Sequence, residues 1–239
     1  MINLKHIIFL LLIFYSCAKS GKEISVYAGS ITKIFLDEIN RRYEEKSGTK
    51  LLVQYGGSGI MLMQFIYGKG EVYISTCDEF MEKGVEMEVI EPSSVFYLSP
   101  VHPAIIVRRG EKEIKDFNTL ISRKFGIANP KVCTGKFTEE IFRYYGKEEL
   151  MKKAKIQADS LLSLTTALLL GSVDGIIGLV ELKSIPGIEV IPLPSVSEPR
   201  ISIGLSKRPK HPEEAWNYLK FLLSSEGKEI MKRYGFQPY

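Results

Sequence analysis

Short apolar runs alternate along the chain with longer stretches in which apolar residues recur every three or four positions. Ile24 to Tyr27 is the first run, broken by Gly29-Ser30. From 31 to 46, Ile31, Ile34, Phe35, Ile39 and Tyr43 fall on one face at helical spacing, and Gly48 supplies a stop. Leu51 to Tyr55 predicts a second strand, Gly56-Gly57-Ser58-Gly59 a break, Ile60 to Tyr67 a short helix, and Val72 to Ser75 a third strand. Ala104 to Val107 lies between breakers and reads as a fourth. The second half repeats the grammar. Strands are expected at 125–128, 175–179, 189–191 and 201–205. Helices are expected at 136–145 and 163–170, stopped by Gly146 and Gly171, and at 212–223 and 226–234. Alternating strands and helices of these lengths predict an α/β architecture.

The first residues follow a different pattern. Lys5 and His6 precede an unbroken apolar run from Ile7 to Tyr15. The run is shorter than the roughly 20 residues that span a bilayer, but it suits a signal peptide. Ser16-Cys17 then resembles a lipobox, although Phe14 and Tyr15 are bulkier than usual; an ordinary signal peptide cut nearby is the plainer alternative. The expectation is a signal peptide over 1–16, a lipidated Cys17, and a tether through 23. The chain would then be exported and lipid-anchored at the periplasmic face of a membrane or at the cell surface, because two or three acyl chains hold where one is marginal.

Composition narrows the chemistry. The 32 basic and 28 acidic side chains are mixed along the chain and leave a net charge of +4. No basic block interleaves with aromatics, which argues against nucleic acid as a partner. Beyond the leader only His102 and His211 remain, each followed by proline, so zinc sites and histidine-based catalysis have almost no material. Cys77 and Cys133 are too few for a disulfide scaffold.

Small hydroxyl residues stand where strands or loops enter helices: Ser30, Ser58, Thr134 and, less clearly, Ser160 or Ser163. The plain reading is that each caps its helix. The functional reading uses the same setting differently. Ligands of open α/β sheets bind at the carboxyl ends of strands, and a helix start offers unpaired N–H groups and a positive dipole end that attract anions. In Ala28-Gly29-Ser30 and Gly56-Gly57-Ser58-Gly59 the glycines would let an anion approach the backbone. Six or seven hydrogen bonds of about 1.5–3 kcal/mol each would suffice for a tight anion site without a formal cation.

These pieces resemble the periplasmic molybdate-binding proteins of ABC transporters. ISVYAGSITKIFLDEINRRYEEKSG is similar to that family's opening strand, serine turn and helix. VQYGGSGIMLMQFIYGKGEVYIST resembles its second serine turn, and HPEEAWNYLKFLLSSEGKEIMKRYGF its closing helices. The resemblance implies a two-lobed type II periplasmic-binding-protein fold: two mixed sheets flanked by helices and two crossover strands, near 104–108 and 201–205. Lobe one would hold 24–101 plus 206–239, and lobe two 102–205. It implies capture of a tetrahedral oxyanion, molybdate or tungstate, with no catalysis, no cofactor and no metal beyond that of the oxyanion. The implied partners are an ABC permease and its ATPase, and the chain would act as a monomer.

Carried over by position, Ser30 and Ser58 would donate hydroxyl and backbone N–H groups, while Thr134 and Leu161 would donate through backbone N–H. The family's tyrosine donor has no counterpart, because Gly178 or Leu179 stands there; Tyr27, Thr76 or Lys136 are candidates to compensate. The alternatives are the same fold binding sulfate or another oxyanion and, more remotely, an enzyme using Cys77 or Cys133 as nucleophile. The two cysteines are placed near the cleft mouth on opposite lobes. They are expected to be reduced, because a bond between them would clamp the lobes and oppose ligand release; a regulatory clasp or a soft-metal contact is the alternative.

Overall fold

The computed structural model describes residues 22–194 and 198–239. The expected leader over 1–16, Cys17 and most of the tether lie outside the described residues.

Two five-stranded sheets organise the chain. The first has the order β2-β1-β3-β10-β4, built from β1 (Glu23–Gly29), β2 (Lys50–Gly56), β3 (Val72–Ser75), β4 (Phe96–Pro100) and β10 (Arg200–Leu205). The second has the order β7-β6-β8-β5-β9, from β5 (Pro103–Arg108), β6 (Phe125–Ala128), β7 (Ile156–Ala158), β8 (Gly175–Leu179) and β9 (Ile188–Pro192). The sheets share one pattern. Three parallel strands lie on one side, and the fourth position is taken by a strand antiparallel to both neighbours, β10 in one sheet and β5 in the other. Helices follow the parallel strands: α1 (Lys33–Ser47) after β1, α2 (Ser58–Tyr67) after β2 and α3 (Asp78–Glu86) after β3. In the second lobe α4 (Phe117–Ile121) precedes β6, α5 (Cys133–Tyr144) follows it and α6 (Leu161–Leu169) follows β7. The closing helices α7 (Pro212–Leu223) and α8 (Ser225–Arg233) return to lobe one, where α7 meets β10 and α1, and α8 meets α1.

The elements follow the apolar pattern. In α1 the expected face is buried through Phe35, Ile39 and Tyr43, with Leu36 added and Ile34 only partly covered. Gly48 ends the helix at φ 69°, a left-handed conformation that glycine adopts without a Cβ penalty. Strand β5 is buried on both faces, and its alternation divides two cores. Ala104 and Ile106 join a large cluster that continues into lobe one, while Ile105 and Val107 pack with Phe117, Phe125 and Phe142.

The two histidines have structural partners. Buried Glu71 accepts the backbone N–H groups of Ser25 and His211 and lies 3.1 Å from the His211 ring. Buried Glu181 likewise accepts the His102 backbone N–H and lies 2.8 Å from that ring. Each carboxylate thus holds a strand or helix entrance at a His-Pro step.

Two features depart from the sequence reading. Residues 201–205 belong to the first sheet, where Ser202 to Leu205 pair with Ser75 to Val72; they had been placed at the end of lobe two. Alternation of apolar residues marks a strand but not the sheet it joins. The chain passes between the lobes at 101–102 and again between β9 and β10. Val101 N–H donates to Pro199 O at 2.9 Å and Leu193 N–H to Pro103 O at 3.0 Å. Strands β4 and β7 and helices α3 and α4 also stand where no element was expected.

Candidate functional site

Helix starts from both lobes face each other across the cleft. A small cavity between them is lined from lobe one by Ser30, Ile31, Gly56, Gly57, Ser58 and Thr76, and from lobe two by Val132, Cys133, Thr134, Ser160 and Leu161. The four residues proposed from sequence, Ser30, Ser58, Thr134 and Leu161, therefore line one small space. Every residue of the lining is uncharged.

The capping pattern separates these residues from ordinary helix caps. Ser30 and Ser58 occupy the first position inside their helical segments, behind Gly29 and Gly57, and Thr134 the second position, behind Val132. None of these three starts carries a side-chain cap. Only Ser160 behaves as a cap, its Oγ accepting the Ser163 N–H at 3.1 Å. The first N–H groups of a helix have no acceptor within it. Three uncapped starts around one uncharged space leave those donors, and the positive dipole ends, for whatever fills it.

Ser58 is held most firmly. Its Oγ accepts the Thr76 N–H at 3.1 Å and lies 3.0 Å from Thr76 Oγ1, while Tyr73 donates its hydroxyl to Ser58 O at 2.9 Å. Because the Ser58 oxygen already accepts from the Thr76 peptide, its own proton is available to Thr76 Oγ1 or to the cavity. Thr76 was only a candidate to compensate for the missing tyrosine; it lines the cavity, whereas the other two candidates do not. Tyr27 packs edge-on against Phe65, and Lys136 faces Glu79 of the opposite lobe at 3.9 Å. The position of the missing tyrosine is filled by apolar groups, since a Cβ on Gly178 would meet Ile106, Leu182 and Leu161. In lobe two, Asn129 joins the two loops that reach the cavity, donating to Asp159 at 3.1 Å and accepting from the Lys131 N–H at 3.0 Å.

The glycines do a different job from the one expected. A Cβ on Gly57 would lie 2.2 Å from Val132 Cγ1 and 2.5 Å from Asp159 O, and one on Gly59 2.8 Å from Lys131 O. Those atoms belong to lobe two. Gly57 and Gly59 thus admit the opposite lobe rather than a ligand, while Gly29 lets the first turn approach Ser58 and Thr76.

The expectation of free thiols is overturned. Cys77 and Cys133 form a disulfide with a Cα–Cα separation of 5.7 Å. Cys77 immediately precedes α3 of lobe one, and Cys133 opens α5 of lobe two. The lobes bring the two helix starts together, which places the cysteines in bonding range. Neither sulfur is then a thiolate, so the cysteine-nucleophile alternative loses its reactive group. At the same edge of the cleft, a hydrogen bond from Lys83 holds the Glu79 carboxyl below its ordinary pKa, against the opposing effect of burial and with help from the Lys136 charge.

Residues 24–237 match the family described as bacterial extracellular solute-binding protein. The chain belongs to that family. Among relatives, this solute-binding protein is 27% identical over 228 residues to the "Putative binding protein" of Haemophilus influenzae, covering 90% of its own length and 91% of the relative's. Its fold is that of the Azotobacter vinelandii periplasmic molybdate-binding protein, with a TM-score of 0.79 at 16% identity over 90% of this chain and 98% of that one. It also superposes on the sulfate-binding protein SubI of Mycobacterium tuberculosis, with a TM-score of 0.77 at 13% identity over 91% of this chain and 87% of the other. The architecture is therefore the two-lobed periplasmic-binding-protein fold. Among the described residues no helix is long and apolar enough to cross a membrane.

Proposed function

We propose that this protein captures a small tetrahedral dianion, molybdate or tungstate, outside the cytoplasm and delivers it to an ABC importer. The observation that carries this is the uncharged cavity into which three uncapped helix starts turn Ser30, Ser58 and Thr134, with Leu161 at the start of a fourth helix. Such a site neutralises a dianion with dipoles. At about 1.5–3 kcal/mol for each hydrogen bond to a charged group, six donors exceed the roughly 8–12 kcal/mol of a micromolar to nanomolar binder, with a margin for ordering costs.

The lining also selects among anions. Phosphate near neutral pH carries a proton and needs an acceptor, and no carboxylate side chain lines the cavity. Molybdate, tungstate and sulfate are unprotonated, and the last differs from the others mainly in size. The lobes serve as the two jaws of the site, with closure recognised by a permease whose ATPase drives release. Cys17 is the attachment point for acyl chains, so the protein works at the membrane surface as a monomer, without cofactor or catalysis.

Calorimetric titration of the mature chain with molybdate, tungstate, sulfate and phosphate tests this. Molybdate and tungstate should bind with micromolar or tighter affinity and phosphate not detectably. A preference for sulfate would assign the site to that anion instead. Heat from none of the four would remove the oxyanion reading.

A further inference from the structure

Two lobes joined by a pair of neighbouring peptide segments can rotate about the line through those segments. Here the segments are bonded to one another at Val101–Pro199 and Pro103–Leu193, so the line is narrow. The Cys77–Cys133 disulfide is a third covalent link between the lobes. Cys133 lines the anion cavity, and Cys77 lines a neighbouring pocket together with Lys136 and Pro199. A third link between the lobes, at the wall of the anion cavity, restrains the rotation that the other two leave. The Cα separation is 5.7 Å, and disulfides tolerate at most about 6.8 Å. The cleft can widen by only about 1 Å at this point while the bond persists.

We infer that Cys77–Cys133 is a redox-cleavable clasp that holds the lobes closed and sets the rate at which ligand enters and leaves. Reduction by a dithiol breaks the S–S bond. Two electrons and two protons pass to Cys77 and Cys133, which become thiols, and the dithiol becomes a disulfide. The lobes then part about the bonded pairs Val101–Pro199 and Pro103–Leu193. Cys77 and Cys133 are only 5% and 1% exposed. The oxidised clasp is therefore shielded from bulky reductants and yields to a small dithiol, or to a larger one during brief openings. The noncovalent contacts across the same edge, Lys136 with Glu79 and Gly59 against Lys131, are individually weak and can separate once the bond is gone. The clasp rests on the anion-capture reading for its ligand but not for its mechanics, and the test separates the two.

The mature chain would be prepared in three forms: oxidised, reduced with dithiothreitol and desalted without air, and with Cys77→Ser and Cys133→Ser together. Small-angle scattering without ligand reads the mechanics, and tungstate release by competition reads the exchange. The oxidised form should keep one radius of gyration with or without tungstate. The reduced and serine forms should be larger without tungstate, contract on adding it, and release it about tenfold faster or more. If the serine variant does not fold, the reduced wild type carries the comparison. Equal radii and equal release rates in all forms would overturn the clasp, as would two free thiols in the air-oxidised chain. Radii that differ with redox state in a chain that binds no tungstate would uphold the clasp and reject the anion reading.

Discussion

Gly57→Ala separates a glycine that admits a ligand from one that admits a lobe. The backbone at Gly57, φ −65° and ψ 136°, is open to alanine. Nothing within lobe one resists the change, and at a compatible position the substitution stabilises by about 0.4–1 kcal/mol through the unfolded chain. The difficulty lies across the cleft. The new methyl would sit 2.2 Å from Val132 Cγ1 and 2.5 Å from Asp159 O, whereas carbon atoms pack at about 3.5–4.0 Å. Val132 is buried and β-branched, and Asp159 contributes backbone, so neither yields readily. The lobes must part by about 1 Å or more at this point. Hydrogen bonds of about 2.7–3.2 Å do not survive such a shift. Losing two charge-assisted donors from lobe two costs about 3–6 kcal/mol, or about two to four decades of affinity. Titration with molybdate and tungstate reads the affinity, and scanning calorimetry reads the fold. With the Cys77–Cys133 bond reduced so that the lobes can part, the expected result is a melting temperature near that of the reduced wild type with binding reduced at least a hundredfold. Affinity within about threefold of wild type would refute the reasoning, because closure would then not depend on the missing methyl.

Ser30→Ala and Ser58→Ala should each weaken oxyanion binding about tenfold or more. Only Ser58→Ala should also lower stability, by about 1–3 kcal/mol, because it strands the Thr76 N–H; equal thermal melts for the two variants would contradict this. Glu38 is held below its ordinary pKa, first by a hydrogen bond from Arg233 and also by Arg42, while burial opposes. A depressed carboxyl stabilises the fold above its unfolded-state pKa, and that contribution fades as pH falls through its folded value. Glu38→Gln should therefore melt below wild type at pH 7, with the gap closing as pH falls below the ordinary carboxylate range; a gap independent of pH would count against the pairing. Cys17→Ser should move the protein out of the membrane fraction, and a mature N-terminus at Ala18 or Lys19 would disprove acylation at Cys17.

Local structure was legible where a single residue or a short period decides it. Gly48, Gly146 and Gly171 all take positive φ at the ends of the helices they were expected to stop. Strands β3, β6 and β8 and helix α7 have the expected bounds. Thr76 could have been placed beside Ser30 and Ser58 at the cavity outright, since it follows a strand at its carboxyl end as they do. Relations between distant segments were not legible. Gly57 was assigned to the ligand because Val132 and Asp159 are remote in sequence, and only the closed cleft brings them within contact. Cys77 and Cys133 are separated by 56 positions, and the free-thiol expectation came from a functional argument that release requires opening. The chain does not tell which sheet a returning apolar strand joins, so β10 went to the wrong lobe.

The placement of β10 also bears on how the chain assembles as it is made. Domains form from the N-terminus onward during synthesis. Lobe two, from β5 to β9, is one unbroken stretch and has all its strands once β9 has emerged. Lobe one is interrupted, and the strand between β3 and β4 comes last, followed by α7 and α8. Until then β3 presents an open apolar edge, and unpaired edges invite pairing between chains. A nascent chain cut off near residue 195 would therefore carry a finished second lobe and an adhesive first one, so holdase chaperones would engage it through residues 23–100.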